Sequence, residues 1–280
     1  MKDVKWLIEK YEDSNFINGL IDAVRSNRFH YEVIDTYDFR YKISFSSFFH
    51  NDRCVVFYGS LLLAKILQRE KQWVPGPICN FQNLECLTYF SYFGKYLLNQ
   101  DYIMMPLNEF YRKKDDIYNK FSIDNKVFLR PNSGAKTFCG NIYDYDFLDS
   151  EINTIRLYGK LPIDRILSVI SSPKKIDKEW RIVIVDRKVV AYSLYKKNGE
   201  IFEKRECDEG AIELSKSIAN EEWQPDYAYT VDICLSNGHY RLLEINSFSC
   251  SGLYECDPEL IVESVSDCAI KEWKDYIVFK

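Results

Sequence analysis

Tyr229-Thr-Val-Asp-Ile-Cys-Leu235, then Asn237-Gly238, then Arg241-Leu-Leu-Glu-Ile-Asn246 reads as two strands joined by a tight turn. Val231, Ile233 and Leu235 alternate with Asp232 and Cys234, the period-two pattern of a half-buried strand. The pairing gathers Asp232, Glu244 and Asn246, three oxygen donors. Magnesium typically takes one or two protein carboxylates and leaves its other positions to water and nucleotide phosphates. Geometry sets a condition on that reading. In a strict two-residue hairpin Asp232 sits opposite Leu243 and points away from Glu244. A shared face for Asp232, Glu244 and Asn246 requires an odd number of connecting residues or a bulge, such as a three-residue loop with Gly238 left-handed. Solvated edge charges are the alternative for the same residues.

Upstream, Lys126-Val-Phe-Leu129 reads as a buried strand that stops at Arg130-Pro131, since proline cannot donate to a ladder. The segment Asn132 to Gly140 follows as a loop with two glycines. It can fold over phosphates, with Lys136 as a point charge, or serve as a polar surface turn. It is not a Walker A loop, because Ala135 stands where glycine would precede the lysine. Glu179-Trp-Arg-Ile-Val-Ile-Val185 opens a further strand, with Lys188 to Tyr195 as its partner across Asp186-Arg187. Glu179 and Arg181 are two apart and share a face. They can form a structural ion pair, or Arg181 can hold a transferring phosphoryl group with its bidentate fork.

In order and spacing these segments resemble the ATP-grasp superfamily, and most closely its phage- and bacteria-associated clade named for two arginines and a lysine. The matching pieces are Phe128-Leu-Arg-Pro131, Lys136, Phe138-Cys-Gly140, Glu179-Trp-Arg181, Val231-Asp232, Glu244-Ile-Asn246 and Ser251-Gly-Leu-Tyr254, spanning residues 126 to 257. The resemblance implies an α/β chain in which an ATP-grasp fold follows a smaller amino-terminal α/β domain, with the nucleotide held between two subdomains. It implies that Arg130, in the place of a lysine common in the superfamily, contacts the ATP phosphates together with Lys136. It places Arg181 near the γ-phosphate or the acyl-phosphate intermediate, so that Arg181 and Lys136 are the expected catalytic residues, with Glu179 beside them in the nucleotide site. Asp232, Glu244 and Asn246 are then the expected magnesium ligands. Ile166 to Ile170, before Ser171-Ser-Pro173, resembles the hinge strand, which assigns adenine contacts to the backbone of Ser168, Val169 and Ile170. No acidic side chain stands in that hinge segment.

The activity implied by the resemblance is ATP- and magnesium-dependent ligation. A carboxylate attacks the γ-phosphate, and an amine then displaces phosphate from the acyl phosphate to give an amide. Such chemistry rests on positioning and on cations that neutralise developing charge. The expected substrates are a small molecule or peptide bearing a carboxylate and an amine acceptor, with nucleic acid entering only as a modified-base substrate. A reading of a different class is a nucleotide-binding assembly or regulatory module that uses the fold without turnover. The sequence has no Gly-x-Ser-x-Gly elbow and no His-Glu-x-x-His helix, and His30, His50 and His239 are too scattered for a histidine-based zinc site.

A chain of 280 residues fits one or two domains, divided here at 1–110 and 111–280. A net charge of −5 argues against a general phosphate-backbone binder. Nine cysteines without a Cys-x-x-Cys pair read as reduced thiols. The amino terminus lacks an apolar signal region and the longest apolar stretch, Val55 to Leu67, is interrupted by Lys65, so a cytoplasmic location is expected, in host cytoplasm if phage-encoded. Abundant Tyr, Phe, Ile, Asn and Lys beside 11 glycines suggest an AT-rich genome such as that of a phage or low-GC bacterium. Near the amino terminus, strands are expected at Val4–Ile8, Tyr31–Ile34 and Cys54–Tyr58, with a helix over Asn15–Ser26. Gly59-Ser60 then begins a helix at a strand's carboxyl end, where open α/β sheets bind ligands, which makes Tyr58, Gly59 and Ser60 candidate substrate-side residues. Helices are also expected over Leu84–Leu98, with Phe90, Tyr92, Phe93 and Tyr96 as core, and over Glu109–Phe121.

Overall fold

The computed structural model describes residues 4–10, 15–35, 54–70, 73–134, 137–159 and 161–278. Their strands form three sheets. The first is parallel, in the order β2-β1-β3-β4, from β1 (Lys5–Lys10), β2 (His30–Asp35), β3 (Cys54–Tyr58) and β4 (Val74–Pro77). All five side chains of β3 are buried, as expected for an inner strand covered on both faces. Helix α1 (Asn15–Ser26) buries Phe16, Ile17, Leu20, Ala23 and Val24, a 3.6-period stripe, and has the bounds expected from the sequence. Helix α2 (Leu61–Glu70) follows β3 directly.

The second sheet is antiparallel, in the order β5-β8-β6-β7, from β5 (Tyr102–Pro106), β6 (Lys126–Pro131), β7 (Asn141–Asp144) and β8 (Leu167–Ser171). The third is also antiparallel: β11 (Glu200–Lys204), β10 (Lys188–Lys197), β9 (Lys178–Val185), β12 (Ala228–Ser236) and β13 (His239–Ser247), in that order. A division at residue 110 does not follow these sheets. Strand β5 precedes that point yet pairs with β8 beyond it. The last helix, α8 (Pro258–Val278), packs back on the parallel sheet, where Trp6 Nε1 donates to Ser266 Oγ at 3.0 Å, and its residues share one apolar core with β1, α1 and β9.

Two helices differ from expectation for local reasons. Helix α3 is Cys86–Phe93 and gives way to a 3₁₀ turn at Gly94–Tyr96. Its start is fixed from outside, since Cys86 N donates to Asn132 O at 2.9 Å and Leu87 N to Asn132 Oδ1 at 2.7 Å. Of its aromatics, Phe90 and Phe93 are core, whereas Tyr92 is exposed and stacks on Trp223 with ring centroids 4.3 Å apart. The charged segment 107–121 is two helices, α4 (Leu107–Arg112) and α5 (Lys114–Phe121), broken at the non-helical Lys113. Helices α6 (Leu148–Tyr158) and α7 (Glu209–Ala219) complete the α-helices of the described residues. No helix among the described residues is long and apolar enough to cross a membrane.

Candidate functional site

The β12–β13 hairpin settles the parity condition. Ser236 pairs with His239 across Asn237 and Gly238, whose φ values of 49° and 76° are the left-handed pair of a tight two-residue turn. The loop is therefore even, and the expected three-residue form is not the one adopted. A register shift between Asp232 and Ile233 takes its place: Ile233 pairs with Leu242 and Asp232 with Glu244, which leaves Leu243 as the extra residue of a bulge. Directly opposed residues share a face, so Asp232 and Glu244 lie together, with Thr230 and Asn246 as the next pair.

Strand β9 extends this row, because Arg181 pairs with Asp232 from the other side. Arg181 and Asp232 are both buried and joined by two bonds, Nε to Oδ1 at 2.8 Å and Nη2 to Oδ2 at 2.7 Å. Arg181 Nη1 also donates to Gly252 O at 2.7 Å. The same guanidinium lies 5.7 Å from the Tyr195 ring centroid and 5.2 Å from that of Tyr254, and the two rings stack at 4.8 Å. Tyr254 holds φ at 50°, an uncommon state for a bulky residue. Burial pushes the Tyr195 hydroxyl well above its ordinary value, with the Asp232 and Glu179 charges adding, so it is a neutral donor to Glu179 Oε2 at 2.7 Å. The partner of Arg181 is thus Asp232 and not Glu179, which instead binds Tyr195 and Lys196, the latter at 3.4 Å.

Arg130 arrives from the second sheet. Its Nη2 is 3.1 Å from Glu244 Oε2, and its Nη1 donates to Tyr89 OH at 3.4 Å. Asn246 Nδ2 donates to Glu244 Oε1 at 2.9 Å. Four charges therefore line up from one sheet to the other, two neighbouring carboxylates flanked by arginines: Arg130, Glu244, Asp232, Arg181. Gly140 allows the loop to lie against this arginine, since a Cβ there would meet Arg130 Cβ at 3.0 Å. A cavity of about 410 Å³ opens over the Arg130–Glu244 end of the row, and Asp232 and Arg181 lie buried behind it. Arg130, Glu244, Glu179, Tyr195, Lys196 and Lys174 give it charge and hydrogen-bonding groups, while Phe128, Phe138, Ile142, Ile176 and Leu243 give it apolar walls.

Other expected site residues fall elsewhere. Lys136 lies outside the described residues. Ser168, Val169 and Ile170 are fully buried in β8, an inner strand whose backbone pairs with β5 on one side and β6 on the other, so their amides and carbonyls are engaged in the sheet. The cavity wall beyond that strand is made by Lys174 and Ile176, and Lys174 is anchored on Asp101 at 2.7 Å. Tyr58 is buried and donates to Ser251 O at 2.7 Å, Gly59 N donates to Ser249 O at 2.8 Å, and Ser60 N donates to Glu9 Oε2 at 2.7 Å while its Oγ accepts from Leu63 N. These three residues bind the turn after β13 and cap α2, away from the main cavity.

The donor set suits a hard cation. Asp232 and Glu244 supply carboxylates, and the Asn246 amide, having given its N–H to Glu244, keeps its oxygen as an acceptor. The hydroxyl of Thr230, opposite Asn246 in the same row, is buried without a hydrogen-bond partner. Among the described residues no three His, Cys, Asp or Glu side chains cluster as a metal cage.

Sequence reasoning did not find Tyr89, Asn132, Tyr195 or Lys174. Tyr195 carried a signal, since it lies on the expected partner strand of Glu179, and Tyr254 stood within a matched segment. Tyr89 did not, because an aromatic in a helix crowded with aromatics reads as core.

The sequence profile described as ATP-grasp domain, R2K clade family 2, matches residues 113–264, more than half of the chain. The chain belongs to this ATP-grasp family. The fold matches D-alanine–D-alanine ligase from Bacillus anthracis complexed with ATP at a TM-score of 0.61 and 15% identity, covering 98% of this chain and 99% of the other. A RimK domain ATP-grasp protein from Sphaerobacter thermophilus matches at 0.60 and 11%, covering 93% and 99%. The ATP-grasp ligase PsnB, complexed with precursor peptide PsnA2 and AMPPNP, matches at 0.53 and 12%, covering 97% of both chains. No curated protein sequence matches.

Proposed function

We propose that this chain is an ATP- and magnesium-dependent ligase that activates a carboxylate by phosphorylation and joins it to an amine. The observation that carries the reading is the row Arg130–Glu244–Asp232–Arg181, whose Arg130 and Glu244 line a cavity between two sheets while Asp232 and Arg181 lie buried behind them. The geometry suggests a division of labour. Arg130 binds phosphate oxygens from the second sheet, and Lys136 would join it from the adjoining loop. Glu244, Asp232 and Asn246 would hold magnesium, which would supply positive charge against the charge developing on the phosphates. Arg181, with three N–H groups committed to Asp232 and Gly252, orients the Asp232 carboxylate and keeps charge at the end of the row. The adenine lies between the apolar walls of the cavity, and its backbone contacts fall in the 172–176 connection after β8.

The reaction needs no nucleophilic side chain. The protein aligns a substrate carboxylate with the γ-phosphate and keeps water away from the acyl phosphate until the amine arrives. The matched D-alanine–D-alanine ligase and the peptide-bound PsnB delimit two substrate classes, an amino acid and a peptide. A nucleotide-consumption assay with magnesium, with and without pooled amino acids and peptides, tests the reading. ADP and phosphate released only with a substrate pool support it. AMP as the product, or tight ATP binding with no turnover in any pool, contradicts it.

A further inference from the structure

One wall of the main cavity carries a side chain that the phosphate and metal chemistry leaves unused. Leu98 and Asn99 line the cavity from the strip of chain that leads into β5. The strip is fixed at both ends. Leu98 N donates to Leu242 O at 2.9 Å, which ties it to β13 in the third sheet. Two residues beyond Asn99, Lys174 Nζ donates to both carboxylate oxygens of Asp101, at 2.7 and 2.9 Å, and the next residue, Tyr102, pairs with Ser171 in the second sheet. Residues 99–101 therefore run beside 172–174, on the part of the wall that lies beyond β8.

The polar groups around Asn99 are engaged. Lys174 also donates to Ser172 O, Tyr195 OH donates to Glu179, and Asn141 Oδ1 accepts from Ile142 N. The Asn99 side chain, half-buried, makes no hydrogen bond among the described residues, so an acceptor oxygen and two N–H donors are available to whatever enters the cavity. We propose that Asn99 recognises the nucleotide base, reading the N6 and N7 edge of adenine. This inference rests on the ATP-dependent reading above and adds the residue that selects the base. Asparagine pairs bidentately with that edge, its Oδ1 accepting from the 6-amino group while its Nδ2 donates to N7. Guanine offers two acceptors there, O6 and N7, and leaves Oδ1 unpaired. The 172–176 connection contains no side-chain carboxylate or amide, and Lys174, which has donors alone, cannot accept from a 6-amino group. Phe128, Ile142 and Ile176 supply apolar surface for the faces of the ring.

The test is calorimetric titration of the full chain, with magnesium, against AMPPNP and GMPPNP. Wild type should bind AMPPNP at least about tenfold more tightly than GMPPNP, and Asn99→Ala should lose most of that ratio, chiefly by binding AMPPNP more weakly. The ratio is insensitive to a variant that is merely less stable, because a smaller folded fraction affects both nucleotides equally. Wild type that binds the two nucleotides alike overturns the assignment without recourse to any variant. An unchanged ratio in Asn99→Ala also overturns it, and either result leaves the ligase reading standing. Wild type that binds neither nucleotide removes that reading, and this inference with it.

Discussion

The approach to β12 holds a half-buried carboxylate and its centre a buried one, and the two are treated differently. Asp232 is gripped by both arms of Arg181, and Glu244 beside it is met by Arg130. Asp226, just before the strand, has only the N–H groups of Tyr227 and Asn80, at 2.9 and 3.2 Å. Burial pushes it up to about 6, and pushes neighbouring Glu272 up to about 7 with the Asp226 charge adding. The nearest cations are engaged elsewhere. Arg187, in the same cavity wall, donates to the carbonyls of Asn220, Glu221 and Glu222, and Lys271 pairs with Asp186. Burial alone therefore does not mark a working carboxylate. At the site each carboxylate faces an arginine, Asp232 on Arg181 and Glu244 on Arg130. At Asp226 like charges share a pocket and one answer is a proton.

The comparison breaks most sharply if Asp232 loses its partner role. Asp232→Ala should destabilise the fold by about 3–5 kcal/mol, since it leaves Arg181 buried and uncompensated, and should abolish magnesium-dependent nucleotide binding. Denaturant unfolding with nucleotide titration checks both, and a loss under about 1 kcal/mol would mean that water or another group already compensates Arg181. Arg181→Lys keeps the charge but loses the fork, so a loss of about 2–3 kcal/mol in stability is expected with turnover falling further than ATP affinity. Equal losses in kcat and binding would contradict its orienting role.

At the other end the sign reverses. Asp226 and Glu272 have folded values raised above their unfolded ones, so between about pH 4 and 7 the native state holds more protons than the unfolded state, and their contribution to stability falls as pH rises through that window. Asp226→Asn should be more stable than wild type at pH 8 by about 1–2 kcal/mol, with the gain fading toward pH 4. A gain that is the same at both pH values would exclude titration as its cause. The smallest effect concerns Tyr254. Its stacking on Tyr195 contributes about 0.5–1.5 kcal/mol, and its left-handed backbone suits glycine, so Tyr254→Gly should be less harmful than Tyr254→Ala by up to about 1 kcal/mol in thermal unfolding.

The two strands of the β12–β13 hairpin are legible because apolar residues alternate with others along the sequence, although eight of the nine β12 residues are buried, and α1 because its stripe is clean. Parity requires an odd loop or a bulge in that hairpin, and the sequence alone does not choose between them. Asn237-Gly238 locally favours the even turn, and the compensation at Leu243 depends on where β9 and Arg130 sit. The partner of Arg181 was hidden for a related reason. Glu179 is two residues away, about 7 Å along a strand, whereas a directly opposed cross-strand neighbour is about 5 Å away, and that register is non-local. An apolar run such as Leu167–Ser171 does not reveal in the sequence that it is an inner strand with both edges paired.

The central claim is that the row Arg130–Glu244–Asp232–Arg181 is a magnesium-nucleotide site. Calorimetric titration of wild type and Glu244→Gln with AMPPNP, with and without magnesium, tests it most directly, because Gln keeps the size of Glu244 and an amide oxygen for Arg130 while removing the charge. The account predicts magnesium-dependent binding by wild type and at least about tenfold weaker binding by Glu244→Gln, equivalent to about 1.4 kcal/mol, measured at a temperature where both proteins are folded. Binding that ignores magnesium, or that is equal in the two proteins, would contradict it.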